Sequence, residues 1–78
     1  MNVRLYTSGY PRGRCLLLVL ELQKVTPGGR SWDIAERLFD NQYTRDNPAE
    51  VTVEDPGALE GLRAICSDFG ITLEASAS

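Results

Sequence analysis

The stretch VTVEDPGALEGLRAICSDFGITLEA, residues 51–75, decides the fold of this chain. Val51 and Val53 alternate with Thr52 and Glu54, the period of a half-buried strand. Asp55 can accept hydrogen bonds from the amides of a first helical turn. Pro56 then sits where a missing N–H costs nothing and φ is already helical. Leu59, Leu62, Ile65 and Phe69, with Cys66 beside Ile65, recur every three or four residues and predict one apolar helical face. Gly70 supplies the positive φ that ends many helices. Ile71, Leu73 and Ala75 alternate with Thr72 and Glu74, predicting a closing strand over 70–75. The run therefore reads strand, capped helix, strand.

Working outward, Val3–Thr7 reads as a first strand. Ser8–Gly13, with two glycines and a proline, reads as a loop. Cys15–Val25 is too densely apolar for periodicity to separate a buried helix from a strand. Its leucines and scarcity of β-branched residues favour helix. The competing reading is a hairpin with Val3–Thr7. Thr26-Pro27-Gly28-Gly29 reads as a break, and Ser31 as the cap of a second helix over 32–41. In that helix Ile34 pairs with Leu38, and Ala35 with Phe39, at helical spacing. The polar segment 41–49, containing Asn47-Pro48, reads as a loop, and 75–78 as a frayed tail. The expected order is β-α-α-β-α-β, an α+β fold in a single domain spanning 1–78.

That order makes the chain resemble the C-terminal domain of the bacterial ribosomal stalk protein. The likeness is carried by Val3–Gly9, by Thr26 with Gly28-Gly29, by Ala35–Asp40, and by the apolar spacing of Ala58–Glu74. The resemblance implies a three-stranded antiparallel sheet with three helices packed on one face. It also implies recruitment of partner proteins through the first two helices. The stalk family uses lysines for this. Here Asp33 and Glu36 flank Ala35 instead, and the first helical segment holds only Lys24.

Composition limits the chemistry. The 78 residues contain no histidine, the commonest general base and metal ligand. Two isolated cysteines cannot build a structural zinc site alone, and Cys15 and Cys66 are expected to be reduced. No Walker or Rossmann glycine loop is present. The loop at 40–47 lacks the glycine and distal glutamate of a calcium-binding loop. The expectation is a non-enzymatic chain without cofactor or metal. The longest apolar run, Cys15–Leu20, is far shorter than the roughly 20 residues of a membrane helix. With an alternating start at 1–9 in place of a leader, a cytoplasmic location is expected.

The net charge of −3 is divided unevenly, +4 over residues 1–30 and −7 over residues 31–78. Candidate partner-binding residues are Tyr10, Arg12 and Arg14 in the first loop, Lys24, Arg30, Trp32, Asp33 and Glu36. Trp32, near the start of its helix, is expected to pack in or at the edge of the core. The overall reading is a small module that binds a protein or nucleoprotein complex through its surface. A narrower alternative is a phage-encoded inhibitor of a host defence complex, of the anti-CRISPR type. Its carboxylates would occupy a basic groove where nucleic acid binds. Direct nucleic-acid binding fits poorly with a pI near 4.7.

Overall fold

The structure, a computed structural model, describes residues 1–26 and 28–76. Its order is β1 (Asn2–Tyr6), α1 (Cys15–Leu22), α2 (Gly28–Phe39), β2 (Ala49–Thr52), α3 (Pro56–Phe69) and β3 (Thr72–Ser76). This is the expected α+β order, and the ambiguous apolar segment is a helix. The sheet is antiparallel throughout, with β1 central in the order β2-β1-β3. Val3 faces Val51 on one side and Ala75 on the other, while Leu5 faces Ala49 and Leu73. These alternate residues share the sheet face on which the helices pack.

The opposite face carries Asn2, Arg4, Glu50, Thr52, Thr72 and Glu74, all exposed. Arg4 lies between Glu50 and Glu74 in register, at 3.7 Å from the Glu50 carboxylate. Both side chains of that pair are well solvated, so it adds at most about 1 kcal/mol. The core joins Val3, Leu5 and Val51 to Leu18, Val19 and Leu22 of α1, to Ile34, Ala35 and Leu38 of α2, and to Leu62 and Cys66 of α3.

Helix α3 forms as its sequence dictates. The Asp55 carboxylate accepts from the Gly57 amide at 3.2 Å, Pro56 opens the helix, and Gly70 closes it at φ 77°. Helix α1 starts differently. Arg14 precedes it with no side-chain cap. Its end is held by the Leu22 carbonyl, which accepts from the Thr26 amide at 2.9 Å and the Thr26 hydroxyl at 3.2 Å.

Three sequence expectations are corrected. Gly28 and Gly29 belong to α2 rather than to a break, and Pro27 lies outside the described residues. Ser31 is not a cap. It is fully buried within α2, on the face that also buries Ile34, Ala35 and Leu38, where a small side chain lets the helix approach its neighbours. Ala75 and Ser76 are not a tail, because they pair with Val3 and Asn2 of β1; Ala77 and Ser78 lie outside the described residues. The second strand also begins earlier than its alternation suggests, at Ala49. Val53 lies beyond the end of β2 and instead exchanges backbone hydrogen bonds with Met1, at 2.8 and 3.1 Å.

Candidate functional site

Helix α1 is flanked by both other helices. The Cys15 thiol, at its start, lies in the field of Glu36 and Asp40 near the end of α2. Gly61 of α3 approaches the Glu21 carboxylate closely enough that a β-carbon there would lie 2.7 Å from it. Gly13, just before α1, sits against the Phe69 ring at the end of α3. α1 therefore runs antiparallel to both neighbours. It turns Leu18, Val19 and Leu22 inward, each with no solvent exposure.

The outward side of α1 is also apolar. Leu16, Leu17 and Leu20 are 52%, 46% and 49% exposed. At 100° per residue they lie opposite the buried stripe. Leu16 and Leu20 fall on the flank towards α2, and Leu17 on the flank towards α3, with Glu21. Trp32 of α2 is 44% exposed, further out than the place in or at the edge of the core expected of it. It shares the side of α2 that carries Glu36 and Phe39, the side turned to α1. The opposite flank of α2 faces the sheet edge, where the Arg30 guanidinium holds the Glu50 carbonyl. Ser31, Ile34 and Leu38 already fill the inner face, so Trp32 has nowhere inward to go.

The residues singled out from the sequence are thus divided. Trp32 and Glu36 share the flank of α2 turned to α1, the helix that carries the leucines. Arg30 donates to the Glu50 carbonyl at 2.9 Å on the outer edge of β2. Asp33 pairs with Arg37 at 3.0 Å along α2, and Lys24 with Glu21 at 3.1 Å along α1. In the first loop Tyr10 is 79% exposed. Arg12 is committed to the fold: its amide donates to the Phe69 carbonyl at 2.9 Å and its Nε to the Asp68 carbonyl at 3.2 Å. Arg14 is exposed; its carbonyl accepts from the Leu17 amide at 3.1 Å, and its guanidinium makes no hydrogen bond or ion pair among the described residues. The exposed leucines were absent from the sequence-derived candidates. The signal that could have found them is a helix apolar all round, which either lies fully inside a protein or presents one face to something else.

Other features offer less. A polar depression of about 750 Å³ at the end of the sheet is lined by Tyr6, Thr7, Asn41, Arg45 and Glu74, among others. Its groups are mutually engaged. The Thr7 hydroxyl donates to Asn41 Oδ1 at 2.5 Å, and the Arg45 guanidinium is held charged chiefly by its hydrogen bond to Tyr6. Among the described residues no buried side-chain nitrogen or oxygen lacks a partner, and no three acidic or cysteine side chains gather as a metal site. Both cysteines are free thiols. Burial pushes Cys66 up to about 12; Cys15 is raised by burial first and then by Glu36 and Asp40. Neither is poised as a nucleophile, which requires a lowered thiol pKa. No helix among the described residues is long and apolar enough to cross a membrane.

Compared with family models, curated proteins and solved structures, the chain matches none.

Proposed function

We propose that this chain is a non-enzymatic interaction module that binds a partner protein through the outer side of α1, the adjoining flank of α2 and the loop at 10–14. The observation that carries this reading is the exposure of Leu16, Leu17 and Leu20 on α1 and of Trp32 on the flank of α2 turned to α1. Large apolar side chains left in water on one side of a small protein mark an interaction surface. An exposed tryptophan and exposed leucines on neighbouring helices, with Arg14 and Tyr10 at the rim, have the composition of an interface centre. The resemblance to the stalk domain points to the same two helices. In this chain leucines would do what lysines do in that family. The carboxylates of Glu36 and Asp40, exposed and outside the ion pairs of the described residues, would favour a partner with basic groups at the edge of its contact.

The test is quantitative affinity capture from a lysate of the cell in which the protein acts, comparing wild type with Leu16→Ser/Leu20→Ser/Trp32→Ala. All three positions are exposed, so the variant should keep its melting temperature within a few degrees. The expected result is one stoichiometric partner retained by wild type and lost by the variant. Absence of any such partner, or turnover of a substrate by the purified protein, would overturn the proposal.

A further inference from the structure

The two margins of the sheet are finished differently. At β2 the Glu50 carbonyl points away from β1 and is held by Arg30. It follows that Ala49 and Val51 bond to Leu5 and Val3, their register partners. Backbone groups alternate in direction along β1, so Asn2, Arg4 and Tyr6 bond to Ser76, Glu74 and Thr72 of β3. The amides and carbonyls of Leu73 and Ala75 therefore point outward, and no hydrogen bond takes them among the described residues. β3 has no proline, lysine or bulge, the usual guards of a free edge. The core face is also unfinished there. Val3 has no solvent exposure, but Ala75, facing it in register, is exposed, and Leu73 is half-buried. α3 packs on β3 and turns Gly61 towards α1. Leu59 and Arg63, roughly opposite Gly61 around the helix, lie on the flank beside the open margin.

We infer that this margin takes an extended segment of a partner protein as a fourth strand. Leu73 and Ala75 each offer one amide and one carbonyl at strand spacing, a row that only an extended backbone matches. Side chains of the segment on the helix side continue the row from Val3 to Ala75 beside half-buried Leu59, so they are apolar. On the other face the segment has Glu74 as its cross-strand neighbour, so it carries lysine or arginine there. Glu74 makes no ion pair among the described residues: Arg4 is set against Glu50 at 3.7 Å, and Arg45 acts on Glu74 through its field alone. A second copy fits less well. Antiparallel pairing of β3 with itself about Glu74 sets two carboxylates opposite each other. Pairing about Leu73 calls on the Ile71 amide, which already donates to the Cys66 carbonyl at 2.8 Å. The margin lies across α3 from the outer leucines of α1, so it is a second surface, independent of theirs.

The probe is a displayed library of random linear peptides of about twelve residues, panned against the full chain. The enriched peptides are expected to alternate apolar with polar residues and to carry lysine or arginine among the polar ones. Binding of a synthetic peptide of that sequence should slow hydrogen exchange at the Leu73 and Ala75 amides by roughly tenfold or more. Ala75→Pro removes an outward amide at an edge, where proline is tolerated, and should weaken binding roughly tenfold or more. Ala75→Thr, which keeps the amide, should bind within about twofold of wild type. Glu74→Lys, panned afresh, should exchange the basic preference for an acidic one. Leu16→Ser/Leu20→Ser should bind the peptide as wild type does, so loss of this inference and loss of the α1 surface are separate results. No enrichment, peptides whose binding survives Ala75→Pro, or an unchanged preference with Glu74→Lys would overturn the inference. So would wild-type dimers in sedimentation that Ala75→Pro dissolves, because the occupant would then be a second copy.

Discussion

Helices α1 and α3 lie side by side and antiparallel, yet they are built by opposite rules. α3 carries its own boundary marks, Asp55 and Pro56 at the start and Gly70 at the end, and it separates buried Leu62 and Cys66 from exposed Glu60, Arg63 and Asp68. α1 has no side-chain cap at its start, spans only eight residues, and is apolar inside and out. An isolated helix of that length is marginal in water. It exists because its inner leucines are gripped between α2 and α3. The comparison separates two uses of leucine: in α3 and on the inner side of α1 it holds the fold, and on the outer side of α1 it is left over from folding.

The sharpest way to break that comparison is to shorten one leucine of each kind. Leu62→Ala should cost about 3 kcal/mol, since it opens a void in the shared core. Leu17→Ala, on the exposed side of α1, should stay within about 0.5 kcal/mol. Urea denaturation of both variants checks this; equal losses would mean that the outer leucines support the fold.

A second effect tests how α1 is anchored. Gly13 sits at φ 89°, and a β-carbon there would come within 2.3 Å of the buried Phe69 ring. Gly13→Ala should cost about 2 kcal/mol, combining backbone strain with displacement of that ring. A loss below about 0.5 kcal/mol would show that the start of α1 does not depend on its seat against α3.

The two thiols extend the contrast to pH. Cys66 on α3 is raised from 9.0 to about 12 by burial. Folding therefore favours its neutral form. Its contribution is fully present below 9.0 and is lost as pH rises towards 12, because the unfolded chain ionises first. Measured against Cys66→Ala, wild type should lose about 1–2 kcal/mol more stability between neutral pH and about pH 10.5. Parallel pH profiles for the two proteins would contradict the burial of that thiol. The smallest expected effect is at the cap: Asp55→Ala should cost about 1 kcal/mol by thermal melting. Arg14→Ala, before a helix with no such bond, should cost less.

The fold was legible where the signals are local. Asp55, Pro56 and Gly70 act within a turn of their own positions, so α3 could be placed from its residues alone. The start of α2 could not. Gly28-Gly29 and Ser31 have break and cap chemistry in isolation, but tertiary packing draws them into the helix and buries Ser31 among Ile34, Ala35 and Leu38. The candidate surface was legible only in part. Charged and aromatic residues announce themselves by type, which brought Trp32, Glu36 and Arg14 into view. Arg12 and Arg30 were chosen by the same criterion, yet their guanidinium groups serve carbonyls of the fold. The leucines of α1 pass unnoticed in a sequence because a leucine on either side of a helix looks the same until the neighbours are known.

The contact between Arg30 and Glu50 has a consequence for the sheet itself. In β2, Glu50 and Thr52 turn their backbone groups away from β1, and Arg30 occupies the Glu50 carbonyl while Pro48, just ahead of the strand, has no amide to offer. At the other margin Leu73 and Ala75 of β3 point their amides and carbonyls outward with no hydrogen-bonded partner among the described residues. Fibrous growth by strand addition needs two receptive margins on every molecule, one to receive and one to pass on. With the Glu50 carbonyl taken and no amide at Pro48, the β2 margin offers an incoming strand fewer groups than the β3 margin does, so an accidental pairing of strands starts more readily at β3 than at β2.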